Sequence, residues 1–98
     1  MKLLYFAVSL VALTSASIVY PSEDTDCSPV IGDISSCGNT GLINYNVKSA
    51  KVNFQKATVT FYHEHDCTGV HLSYTSDQTC VHFTQWSPKC VKISGGTC

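Results

Sequence analysis

The chain has 98 residues, six lysines, seven acids and no arginine, for a formal net charge of −1. Arginine is the residue of bidentate phosphate recognition, so its absence from a near-neutral chain argues against nucleic acid as a partner. All six cysteines lie beyond residue 26. They lack the paired C-x-x-C knuckles of zinc sites and read as a disulfide framework.

The chain opens with Lys2, an apolar run from Leu3 to Leu13 broken only by Ser9, and the small residues Thr14, Ser15, Ala16 and Ser17. A basic start, a short apolar stretch and a small-residue cut site make a secretory signal peptide over 1–16. The run is too short for a bilayer core, which takes about 20 apolar residues, so no stable membrane anchor is expected. The mature protein is then secreted, extracellular and about 80 residues long, a single domain. Without Lys2, five lysines face seven acids. A domain this small is marginal on its core alone, and three bridges at about 2–4 kcal/mol each would secure it.

Residues 17–26 hold Pro21, Ser22 and three acids and read as a flexible leader to a disulfide-rich β domain over 27–98. Val30 to Ile34 is a weak strand interrupted by Gly32, Ser36 to Gly41 a loop, and Leu42 to Asn46 a short strand. Ala50 to Gln55 alternates Val52 and Phe54 with Lys51, Asn53 and Gln55. Ala57 to Tyr62 is the strongest strand, rich in the Thr, Val, Phe and Tyr that suit a pleated surface, with Val59 and Phe61 on one face. Val70 to Thr75 places Val70, Leu72 and Tyr74 together. Ser76 to Thr79 turns, Cys80 to Thr84 pairs Val81 with Phe83, and Trp86 to Pro88 is a loop. Cys90 to Ser94 sends Val91 and Ile93 inward. No stretch sustains helical periodicity, and many short strands imply a sandwich or small barrel. Lys48-Ser49-Ala50-Lys51-Val52 faintly repeats as Lys89-Cys90-Val91-Lys92-Ile93.

One segment carries more. In Val59-Thr60-Phe61-Tyr62-His63-Glu64-His65-Asp66-Cys67-Thr68-Gly69, an aromatic is followed by four residues, Cys67, one residue and glycine. This resembles the βγ-crystallin signature, with Tyr62 and Gly69 in place and Cys67 where a second aromatic belongs. The glycine permits the backbone that folds the hairpin over. The resemblance covers 57–98 and implies a degenerate first key before it. It implies an all-β, small disulfide-stapled Greek-key β-sandwich of about six to eight strands. It is similar to small secreted fungal effectors and to yeast killer toxins of crystallin-like architecture. Some members of the family bind calcium through Asn/Asp pairs followed by Ser/Thr-Ser. Gln85-Trp86-Ser87-Pro88-Lys89-Cys90 lacks those oxygens, and Asn44-Tyr45-Asn46-Val47-Lys48-Ser49 matches in part. No metal site and no cofactor are expected.

His63, Glu64, His65 and Asp66 are the titratable cluster. On extended backbone His63 and His65 share a face. With His71 or His82 they would suit a transition metal; as a polar turn they are simply solvated. An acid–base nuclease would pair His63 or His82 with Glu64, with Lys48, Lys51 or Lys56 at the phosphate, but lacks an arginine clamp. Trp86 beside Pro88 is either a contact anchor or an aromatic cap on the core. Cys67 and Cys80 flank one hairpin, which suggests Cys67–Cys80, then Cys27–Cys98 across the ends and Cys37–Cys90, one of 15 connectivities. The reading is a probable-monomer, non-enzymatic secreted effector or antimicrobial. It would bind a host or competitor cell-surface or apoplastic target through His63, His65 and Trp86. The alternatives are an RNase-like enzyme and a wall- or glycan-binding structural protein.

Overall fold

The computed structural model describes residues 18–53 and 57–95; the signal segment 1–16 and Cys98 lie outside the described residues. Seven strands form: β1 Ile18–Ser22, β2 Gly38–Gly41, β3 Ser49–Asn53, β4 Thr58–Tyr62, β5 His71–Tyr74, β6 Gln78–His82 and β7 Cys90–Ser94. They make two antiparallel sheets in the orders β1-β3-β6 and β2-β7-β4-β5. The first key runs from β1 to β3 and the second from β4 to β7. Each gives away the strand before its last: β2 crosses to β7, and β6 crosses to β3. The exchange makes the halves one body.

The two keys repeat in detail. Cys27 and Cys67 both take a left-handed backbone, with φ of 62° and 58°, at matching places after β1 and β4. Val19 bridges Ile34 as Val59 pairs Tyr74. Lys48 N–H donates to the Ser22 carbonyl as Lys89 N–H donates to that of Tyr62, each at 2.9 Å. Leu42 N–H reaches the Lys89 carbonyl at 2.8 Å, and Phe83 N–H that of Lys48 at 2.9 Å. The faint repeat of 48–52 at 89–93 therefore marks β3 and β7 as equivalent strands.

The core lies between the sheets. Val19, Ala50, Val52 and Val81 face Val59, Phe61, Val91 and Ile93, and Leu42, Val47, Ala57 and Phe83 complete it. Phe61 is fully buried and meets Phe83 edge-on at 4.9 Å between ring centroids. Alternation explains the inward sets, since successive strand side chains point to opposite faces. Removing a large buried ring such as Phe61 costs about 3–5 kcal/mol.

Several expectations need correction. Residues 17–26 do not form a leader: β1 lies within them, with Val19 and Ser22 both fully buried. Val30 and Ile34 make only isolated bridges to Ser22 and Val19. The expected loop over 36–41 holds β2, and the expected strand over 42–46 is a turn in which Tyr45 N–H returns to the Leu42 carbonyl. Val70 lies in the bend before β5 and is exposed, and Leu72 is exposed too, because β5 is the edge of its sheet. The disulfides are Cys27–Cys80 and Cys67–Cys90, so Cys67–Cys80, Cys27–Cys98 and Cys37–Cys90 are all excluded. Cys37 is disulfide-bonded too. The pairing follows the strand exchange. β6 lies against β3, below the first hairpin, and this brings Cys80 to Cys27 rather than to its own key's Cys67.

Candidate binding surface at the loop end

The two folded hairpins, 23–27 and 63–67, and the two long loops, 42–48 and 83–89, meet at one end of the sandwich. Glu23 Oε2 accepts from the Asn46 amide at 3.0 Å, and Ser87 Oγ donates to Asn46 Oδ1 at 2.9 Å. Asn46 and Ser87 hold equivalent places in their loops, so this bond joins the keys across their near-twofold relation.

The hairpins are fixed by different chemistry. Ser49 is fully buried beneath the first. Its Oγ accepts from Cys27 N–H at 2.9 Å and donates to the Asp24 carbonyl. Position 90 is the equivalent of Ser49, and there Cys90 bonds covalently to Cys67. Cys67 N–H now bonds the Glu64 carbonyl directly at 3.2 Å. With Ser49 holding its hairpin, Cys27 is free to bridge to Cys80 on the exchanged strand. Gly69 carries φ of 84°, and a Cβ there would sit 3.1 Å from Glu64 Cγ. The glycine of the signature is thus required by both backbone and space.

The second hairpin carries the residues singled out in sequence. His63 Nδ1 lies 2.9 Å from Glu64 Oε2, and its ring packs against Trp86 at 5.5 Å and 85°. Trp86 also lies against Phe83 at 6.0 Å, so the indole both caps the core and remains half-exposed. His65 is exposed in the turn and does not join that contact. The two histidines share a face only on extended backbone, and residues 63–66 turn instead. His71 packs on Tyr62 at 5.2 Å, and His82 Nε2 lies 3.6 Å from Cys80 Sγ. Among the described residues no three of His, Cys, Asp or Glu gather as metal ligands. In the loop with partial calcium-type spacing, Asn46 and Ser49 are committed to the bonds above. Thr68 Oγ1 donates to Asp66 and holds that carboxyl below its ordinary range, since a hydrogen bond to the charged form favours it.

A depression of about 510 Å³ opens beside Trp86, lined by Thr25, Lys48, Thr84, Gln85 and Ser87 with His82 and Phe83. A smaller one of about 150 Å³ lies over Leu72 and is lined by the same loop. Sequence reasoning found Trp86. It named Lys48 only as a possible phosphate contact and missed Thr25; both reach the groove because the keys interlock.

A solved structure sharing this architecture is a point mutant of a βγ-crystallin domain from Clostridium beijerinckii. It is 27% identical over 80% of this chain and 99% of that one, with a TM-score of 0.51. The fold is βγ-crystallin-like. No protein-family model and no curated protein matches the chain. A βγ-crystallin-like domain with disulfides is compatible with a non-enzymatic extracellular protein, and the fold is generally structural.

Proposed function

We propose that this βγ-crystallin-like protein is a secreted, non-enzymatic effector or killer-toxin-like antimicrobial that acts by binding a cell-surface or apoplastic target. The observation that carries the reading is the loop end itself. Two disulfides and the Ser49 and Asn46 bonds hold four loops together there, around a half-exposed tryptophan. Rigid aromatic anchors in pre-organised loops are what binding surfaces use. The signal-like segment over 1–16 and the disulfides support an extracellular setting for that surface.

The test is saturable binding of labelled, oxidised mature protein to intact fungal and plant cells, with RNA incubated in parallel. Saturable binding, lost on reduction, with RNA left intact is the expected result. Cleaved RNA, or no saturable binding to any cell, would overturn the reading. Growth inhibition assayed on a set of yeasts and filamentous fungi then separates the antimicrobial from the host-directed effector.

A further inference from the structure

The groove beside Trp86 has a composition that selects a ligand class. Its floor and wall are aromatic, Phe83 and Trp86, and its rim carries the Thr25, Thr84 and Ser87 hydroxyls, the Gln85 amide and the Lys48 ammonium. Thr84, Gln85 and Lys48 are exposed, and their side chains have no partner among the described residues. The volume of about 510 Å³ falls inside the range of ligand pockets, about 300–1,000 Å³.

Charge narrows the class further. Lys48 lines the groove, and the hairpin that brings Thr25 to it also holds the exposed acids Glu23, Asp24 and Asp26. A polyanion would meet those three acids and a polycation would meet Lys48, so a rim of mixed sign favours a neutral ligand. A pyranose ring offers an apolar C–H face to lie on an indole and hydroxyls around its edge for the rim groups.

We infer that the Trp86 groove binds a neutral oligosaccharide, one sugar ring stacked on Trp86 with its hydroxyls bonded to Gln85, Thr84 and Lys48. The assignment rests on the surface-binding reading above and gives it a ligand class. The smaller depression over Leu72 continues the surface past the indole, so a chain of several sugars has room on both sides.

Trp86 is the single tryptophan of the chain, so fluorescence excited selectively at tryptophan reports on this groove. The mature oxidised protein would be titrated with chitohexaose, laminarihexaose and polygalacturonate. A saturable emission change with a neutral hexasaccharide and none with polygalacturonate is expected. Gln85→Ala, at an exposed position, keeps the fluorophore and the fold and should weaken binding about fivefold, a fraction of the roughly 1.4 kcal/mol that makes tenfold. No saturable change with either neutral sugar, tighter binding of polygalacturonate, or binding that Gln85→Ala leaves intact would overturn the assignment. Cell binding that persists while the titrations stay silent would overturn the glycan and spare the surface-binding reading. Loss of both would overturn both.

Discussion

The first and second keys reach the same hairpin by different bonds. At Cys27 and Cys67 the backbone takes the same left-handed turn. A buried serine hydroxyl holds the one, and a disulfide to Cys90 holds the other. The difference teaches how a small domain distributes its cross-links. Where a hydrogen bond suffices within a key, the cysteine is released to staple the two keys together, as Cys27–Cys80 does.

The largest effect expected is loss of the staple between keys. Cys27 and Cys80 are 53 residues apart and Cys67 and Cys90 are 23 apart. Loop-closure entropy then assigns about 4 and about 3 kcal/mol to the two bridges. Urea unfolding of Cys27→Ser/Cys80→Ser and Cys67→Ala/Cys90→Ala variants should show that order. Cys67→Ala with Cys90→Ser should recover about 1 kcal/mol, because a hydroxyl at position 90 can do what Ser49 does in the first key. Equal stability of the alanine and serine versions would break the equivalence.

Ser49→Ala comes next. It strands the half-buried Cys27 N–H and should cost about 1 kcal/mol, with faster hydrogen exchange at that amide and unchanged exchange at Cys67. Gly69→Ala should cost about 1–2 kcal/mol from its positive φ and contact with Glu64, read from the midpoint of unfolding. At the equivalent place in the first key stands Pro29, whose ring fixes a negative φ, so the two turns differ there in backbone as well as in residue.

The smallest effect is a slope with pH. Burial raises the Tyr74 pKa above 10.0, because desolvation disfavours the phenolate. The folded state favours the neutral phenol, so this contribution is present below the ordinary tyrosine value and is lost as pH rises through the folded one. Ile34 occupies the matching position in the first key and does not titrate. Tyr74→Ile should flatten the alkaline limb of stability against pH; an unchanged limb would remove Tyr74 from the account.

The second key was far more legible in sequence than the first. β4 is built wholly of β-branched and aromatic residues, β7 alternates Val91 and Ile93 with Lys92, and pattern alone reveals both. β1 was hidden by Pro21 and the acids behind it, which resemble a leader; only pairing with β3 makes Ile18–Ser22 a strand. β2 reads Gly-Asn-Thr-Gly and has no apolar signal; it is a strand because β7 offers it a partner. Leu42 looked like the start of a strand, yet it and Val47 plug the core from a loop. At the binding surface Trp86 and His63 were visible as residue types. Their contact, and the arrival of Thr25 and Lys48 from the first key, depend on an exchange of strands that no local pattern encodes.

The most direct test sets the two loops against each other, since Tyr45 and Trp86 hold equivalent positions in them. Binding of Tyr45→Ala and Trp86→Ala proteins to the same intact cells would be compared at matched folding, checked by circular dichroism. The account predicts that Trp86→Ala weakens cell binding about tenfold, or about 1.4 kcal/mol, while Tyr45→Ala binds as the parent does. Equal losses at both positions, or a loss confined to Tyr45→Ala, would contradict it.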